Sequence, residues 1–177
     1  MTATATSATT AADRGRARWP IFLGLAAAVL VIDQLTKAWL VSSLDPGQRV
    51  QVVGDLIRLV HAQNDGALFG LFREQAIIFA IVSVGVVGGI VWFHRSSGRN
   101  TVLSVALGLL LGGALGNMTD RFRVGHVVDF VDLGIGDVRW FTFNVADAAI
   151  SGAILLLIIS TVLPERTRQA TPGRPDA

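Results

Sequence analysis

Residues 112–149 read GGALGNMTDRFRVGHVVDFVDLGIGDVRWFTFNVADAA. The stretch leaves one apolar run, crosses a polar segment and enters another. It carries Asn117, Asp120, Arg121, Asp129, Asp132, Asn144 and Asp147. Ionisable groups are costly at the edges of apolar spans, and where they gather a function is the first expectation. The rest of the chain reads as the scaffold that holds them.

Composition supports a membrane setting. Of the 177 residues 51% are hydrophobic and 16% charged, with a mean hydropathy of +0.56. A soluble domain carries charge on about a quarter of its residues. Trp19, Trp39, Trp92 and Trp140 lie at or near ends of apolar runs or between runs, where interfacial anchors belong. The net charge of +2, from 15 basic and 13 acidic side chains, is too small and too scattered for nucleic-acid binding. Cysteine is absent, which removes disulfides, thiolate nucleophiles and Cys metal sites. His61, His94 and His126 are far apart and no HExxH occurs, so neither a metal nor another cofactor is expected.

Four apolar runs follow in order. Residues 1–13, mostly Thr, Ala and Ser, have nothing to bury and read as a disordered tail. The first run covers residues 19–41, too long for a signal-peptide core and long enough to span, so it is read as a retained helix. The second covers 76–93. Its Ile and Val suggest a strand in water, but a strand exposed to lipid needs a closed barrel, so a helix is expected. The third covers 101–118, with Gly108, Gly112 and Gly116 on one stripe suited to close packing. That stripe is expected to bring the third and fourth spans together antiparallel. The fourth covers 145–163, is stopped by Pro164, and leaves 165–177 as a second tail. The domain expected to fold is thus 14–164.

Charge orients the spans. Arg14, Arg16 and Arg18, then Arg95 and Arg99, then Arg166, Arg168 and Arg174 mark three segments as cytoplasmic. The other two connections mix acids and bases and are expected outside. The first of these contains VQVV and LIRLV, strand-like runs that suggest a small sheet at the membrane surface. Leu56, Ile57, Leu59, Leu68, Phe69, Leu71 and Phe72 give it an apolar side, to rest on lipid or to cover a cleft. The expected fold class is an all-α integral membrane protein. It has four transmembrane helices and a small extracytoplasmic β-rich segment between helices one and two.

The polar residues admit two accounts each. Asp33 and Lys37, four apart, either pair to fix helix packing or form a polar wall of a site. Asn64, Asp65 and Gly66 form a turn signal, or the Asn64 amide holds a substrate backbone. Arg121 either pairs with Asp120 or clamps a carboxylate or phosphate. Asn144 is placed to cap the last helix, with Asp147 in its first turn. Asp132 reads as a surface acid. Asp129, set among apolar residues, is harder to explain structurally. Facing Asp147, it would share a proton with it, since two adjacent carboxylates cannot both ionise easily. One then activates water while the other polarises a carbonyl.

The pieces DQLTK at 33–37, QNDGALFG at 63–70, GGALGNMTDR at 112–121, GHVVDF at 125–130 and FNVAD at 143–147 stand in one order. In that order and spacing the chain resembles bacterial lipoprotein signal peptidase, signal peptidase II. The resemblance implies a four-span aspartyl peptidase of the bacterial cytoplasmic membrane. Both termini would be inside and the active site toward the extracytoplasmic face. It implies a catalytic pair at Asp129 and Asp147, and substrate-binding or site-supporting roles for Asp33, Lys37, Asn64, Gly66, Asn117, Arg121 and Asn144. The implied substrate is a prolipoprotein cut on the amino side of a diacylglyceryl-modified cysteine. Membrane lipids are the other expected partner, nucleic acid is not one, and a monomer suffices. Leu68 stands where many members have Ala. The alternative is a small proton or ion transporter using the same acids. Against it, the charges cluster near one side and the interiors of the second and third spans carry none.

Overall fold

The computed structural model describes residues 17–65, 76–98 and 100–162, the side chains of 76, 77 and 80 excepted. The expected tails, Gly66 and Leu68 lie outside the described residues. Helix α1 is Trp19–Ser43, α2 is Ala76–Ser97, α3 is Thr101–Val124 and α4 is Val145–Val162. By length and composition α1, α3 and α4 are each long and apolar enough to cross a membrane, while Ile81–Ser97 forms a shorter apolar stretch. Leu23, Val31, Ile32, Leu35, Ile81, Val82, Ile154 and Ile158 are exposed, as helices facing lipid require.

Local chemistry sets the helix ends. Pro20 sits in the first turn of α1, where its missing N–H costs nothing. The Asn100 side chain accepts from the Val102 N–H at 2.7 Å and starts α3. Gly125, at φ 81°, ends it in the left-handed conformation that a side chain disfavours. Helix α3 runs six residues past the expected end of its span, so Asp120 and Arg121 lie within the helix.

Helix α3 is the centre, packed by the other three. The glycine stripe is covered differently from the expectation. A Cβ at Gly108 would lie 2.8 Å from Phe22 O, and one at Gly112 2.7 Å from Ala26 O, so both glycines admit α1. Gly113, off the stripe, admits α4: its Cβ would meet Ala146 O at 2.6 Å. Gly116 serves both neighbours, facing Asp33 and Ala146. Helix α1 runs parallel to α3, and α4 antiparallel. A four-residue spacing defines a face but not which helix covers it.

The strands are β1 Arg49–Val53, β2 Ile57–Asn64, β3 Val127–Ile135 and β4 Val138–Arg139, in one antiparallel sheet ordered β1-β2-β3-β4. Half the sheet therefore comes from the connection between α3 and α4, not from the first connection alone. Leu40 at the end of α1 packs on Val128 and Phe130 of β3, which seats the sheet on the helix ends.

Candidate active site

The site forms where the ends of α1 and α3, the start of α4 and strand β3 meet. Its base is an ion cluster. Lys37 Nζ lies 2.8 Å from Asp33 Oδ2, 2.7 Å from Asp120 Oδ2 and 3.0 Å from Asn117 Oδ1. An ammonium has three protons and accepts nothing, so all three are used. Asp33 is fully buried and Lys37 nearly so. The structural account given for this pair holds: the ions lock α1 to α3. Asp33 Oδ1 also accepts the Ala146 N–H at 2.9 Å, tying down the start of α4.

Lys37 decides how Asn117 points. Only the amide oxygen can face the ammonium, so the amide nitrogen faces Asp147, donating to Oδ1 at 2.8 Å. Asn144 is the cap expected of it. Its Oδ1 accepts the Asp147 N–H at 2.9 Å, and Asp147 Oδ2 accepts the Asn144 N–H at 3.3 Å. This is a capping box with aspartate in the third position. The other end of the same amide, Nδ2, donates to Asp129 Oδ1 at 2.7 Å and lies near Asn117 Oδ1 and Val128 O. One side chain thus stands between Asp129 and Asp147 and bonds to both residues.

Asp129 is buried, 2% exposed, on β3. Asn64, the last residue of β2, donates to its Oδ2 at 2.9 Å, so its amide faces the aspartate. Burial pushes the Asp129 carboxyl up to about 6, and the Asp147 charge pushes the same way. The bonds from Asn64 and Asn144 and the charge of Lys37 oppose this. The result is a carboxyl that keeps its proton well above the ordinary range, beside a second carboxylate held by N–H donors.

Of the two accounts given for Arg121 the pairing with Asp120 is not seen, since Asp120 belongs to Lys37. Its Nη1 donates to Asn117 O at 3.3 Å and its guanidinium lies 5.8 Å from the Phe79 ring centroid. The charges of Asp147, Asp129 and Asp120 all act on it. Asp132 is a correction: it is 6% exposed and paired with Arg139 Nε at 2.9 Å. The alternation of β3 turns it to the face opposite Asp129.

Two contributors went unrecognised in the sequence. In the sequence the evident partner of Asp120 is Arg121, not Lys37, and Gln34 carries no charge to mark it. Gln34 Nε2 donates to Asp120 Oδ1 at 2.9 Å and to Gly116 O at 3.2 Å. The signal for Asp120 was its position one helical turn after Asn117. Gln34 carries no signal short of the fold.

The family pattern described as Signal peptidase (SPase) II matches residues 25–163. The chain belongs to the signal peptidase II family. A lipoprotein signal peptidase of Nitratidesulfovibrio vulgaris is 43% identical over 163 residues, covering 89% of this chain and 95% of the relative. One of Mycobacterium avium is 39% identical over 165 residues, covering 88% and 86%. A solved structure described as a bacterial membrane enzyme, obtained by the in meso method at 2.3 Å, superposes with a TM-score of 0.79. It is 27% identical and covers 90% of this chain and 98% of that one. The family is one of aspartyl proteases that remove signal peptides from prolipoproteins, and the chain is a membrane enzyme of that kind. The transporter alternative finds no support in these matches.

Proposed function

We propose that Asp129 and Asp147 form the catalytic pair and cut the peptide bond on the amino side of a diacylglyceryl-modified cysteine. The observation that carries this is Asn144, whose one amide bonds both residues while burial keeps a proton on Asp129 up to about pH 6. Water between the carboxyls gives a proton to Asp147 as its oxygen attacks the scissile carbonyl carbon. Asp129 gives its proton to the carbonyl oxygen. The tetrahedral species then collapses: Asp147 protonates the leaving nitrogen, the C–N bond breaks, and a hydroxyl proton returns to Asp129. Asp33, Lys37, Asn117 and Asn144 hold the pair, and Arg121 and Gly66 are assigned to substrate binding.

We place this domain, residues 14–164, in the bacterial cytoplasmic membrane with four spans, both termini inside and the pair toward the extracytoplasmic face. Support for the sheet lying at that surface comes from its exposed apolar residues. Val52, Leu56, Ile135, Val138, Trp140 and Phe141, in or next to its strands, are all exposed. A monomer suffices for this chemistry.

The test is cleavage of a lipid-modified precursor by folded, detergent-solubilised protein. Asp129→Asn and Asp147→Asn keep the shape and remove the proton chemistry. Each is expected to lower kcat by at least about 100- to 10,000-fold, the range of general acid–base catalysis. Near-wild-type turnover by either variant rules the pair out.

A further inference from the structure

Strands β2 and β3 do not run in continuous register. Leu59 pairs with Val131, but the next pair is Ala62 with Asp129. Three steps along β2 match two along β3, so Val60 and His61 together face Phe130 as a β-bulge. The consequence is one of parity. Residues paired directly across an antiparallel ladder share a face, and so do residues two apart on a strand. Asn64, two beyond Ala62, therefore lies on the face of Asp129 and reaches its Oδ2. Had the Leu59–Val131 register continued, His61 would oppose Asp129 and Gln63 would take the neighbouring position on that face. Asn64 would point the other way.

The extra residue is held from both sides. The Phe130 N–H turns away from β2 and donates to Phe143 O at 3.1 Å. His61 is tied to the chain that leaves α1 at three atoms. Its N–H donates to Gln48 O at 3.1 Å, its carbonyl accepts from the Gly47 N–H at 2.8 Å, and its ring Nδ1 lies 2.8 Å from Leu44 O. A carbonyl only accepts, so Nδ1 carries the proton. Leu44 is the C-cap of α1, and His61 is buried. Any residue but proline could make the two backbone bonds. The ring bond is the one that the side chain supplies.

We propose that His61 is a positioning residue for the catalytic pair: its ring fastens the bulge to the end of α1 and so keeps Asn64 on Asp129. It acts through Asn64 and touches neither aspartate. The inference rests on Asp129 being catalytic.

The test is steady-state cleavage of a lipid-modified precursor by the full-length protein in detergent. The variants are His61→Ala, His61→Gln, His61→Asn, Asn64→Ala and the His61→Ala/Asn64→Ala double, with Asp129→Asn alongside. An asparagine amide nitrogen falls near the place of Nδ1, whereas that of glutamine falls farther out. His61→Ala and His61→Gln are expected to lower kcat about tenfold with KM within about twofold, the scale of one hydrogen bond. His61→Asn stays within about threefold of wild type, a rescue that bulk alone would not give. Adding His61→Ala to Asn64→Ala lowers kcat by less than about twofold more, because both remove the same contact. Wild-type turnover in His61→Ala, equal losses in the Asn and Gln variants, or multiplying losses in the double variant each overturn the inference while an inactive Asp129→Asn leaves the catalytic pair standing. Full turnover by Asp129→Asn overturns the pair and the inference together.

Discussion

The two ends of α3 are held by different physics. At one end Asn117 and Asp120 join Lys37, Asp33, Asn144 and Asp147 through directional bonds of 2.7–3.1 Å. At the other, Ser104 meets a nest of rings. His94 stacks on Phe22 at 4.0 Å and 8°, and Trp19 stands edge-on to it at 4.8 Å. The Ser104 hydroxyl donates to Gly98 O at 3.0 Å, so His94 Nε2 must be the donor in its 3.2 Å contact with Ser104 Oγ. The other ring nitrogen, Nδ1, has no hydrogen-bond partner among the described residues. Stacking tolerates a change of atom as long as the shape is kept, whereas a bonded network fixes orientation and fails as a unit. The proposed chemistry sits at the end that fixes orientation.

That contrast breaks most severely at Lys37. Lys37→Met leaves Asp33 and Asp120 buried without their cation, a loss of about 3–5 kcal/mol in stability. It also frees Asn117 to turn. Thermal unfolding in detergent should show a large drop in Tm, and the folded fraction should cleave at least about tenfold more slowly. Unchanged stability and turnover would mean that the cluster does not orient the site.

A gentler probe is Asn64→Ala, read by pH. In the proposed mechanism Asp129 acts in its protonated form, so kcat/KM is expected to decline as pH rises past its value of about 6. The Asn64 bond holds that value down. Removing it moves the alkaline decline to higher pH by up to about one unit, while the charges of Asp147, Lys37 and Arg121 stay in place. A move to lower pH would contradict the assignment of the proton.

At the far end the expected effect is small. His94→Phe keeps the stack and removes both the unpartnered Nδ1 and the long Nε2 bond to Ser104, whose hydroxyl still donates to Gly98 O. Turnover should stay within about twofold of wild type, with Tm unchanged or slightly raised. A loss of turnover as large as that of Lys37→Met would show that the two ends are not independent.

Much of this was legible before the fold. The helices begin at Trp19, Ala76, Thr101 and Val145 as their apolar runs suggest, the last with the cap expected at Asn144, and Asp33 and Lys37 meet as four-residue spacing predicts. Strand β3 was not legible. Residues 127–130 are buried on both faces, so the period-two signal is absent, and the partner strand lies more than sixty residues earlier. For the same reason Asn64 read as a turn or as a hold on the substrate backbone, and not as a partner of Asp129. Spacing puts Asp120 on the Asn117 side of α3, but its partners Lys37 and Gln34 needed knowledge of which helix faces which, and spacing within one helix does not carry it. The glycine stripe failed likewise: its face was visible, its occupant was not.

The central claim is that Asp129 and Asp147 act as one unit, and the double variant tests it most directly. Cleavage of a lipid-modified precursor should be compared among wild type, Asp129→Asn, Asp147→Asn and the two together, all shown to be folded. With the proton chemistry already lost in either single variant, the double should fall by less than about threefold more. Losses that multiply, the double falling by the product of the two single losses, would mean that the aspartates contribute separately and would contradict the shared site described here.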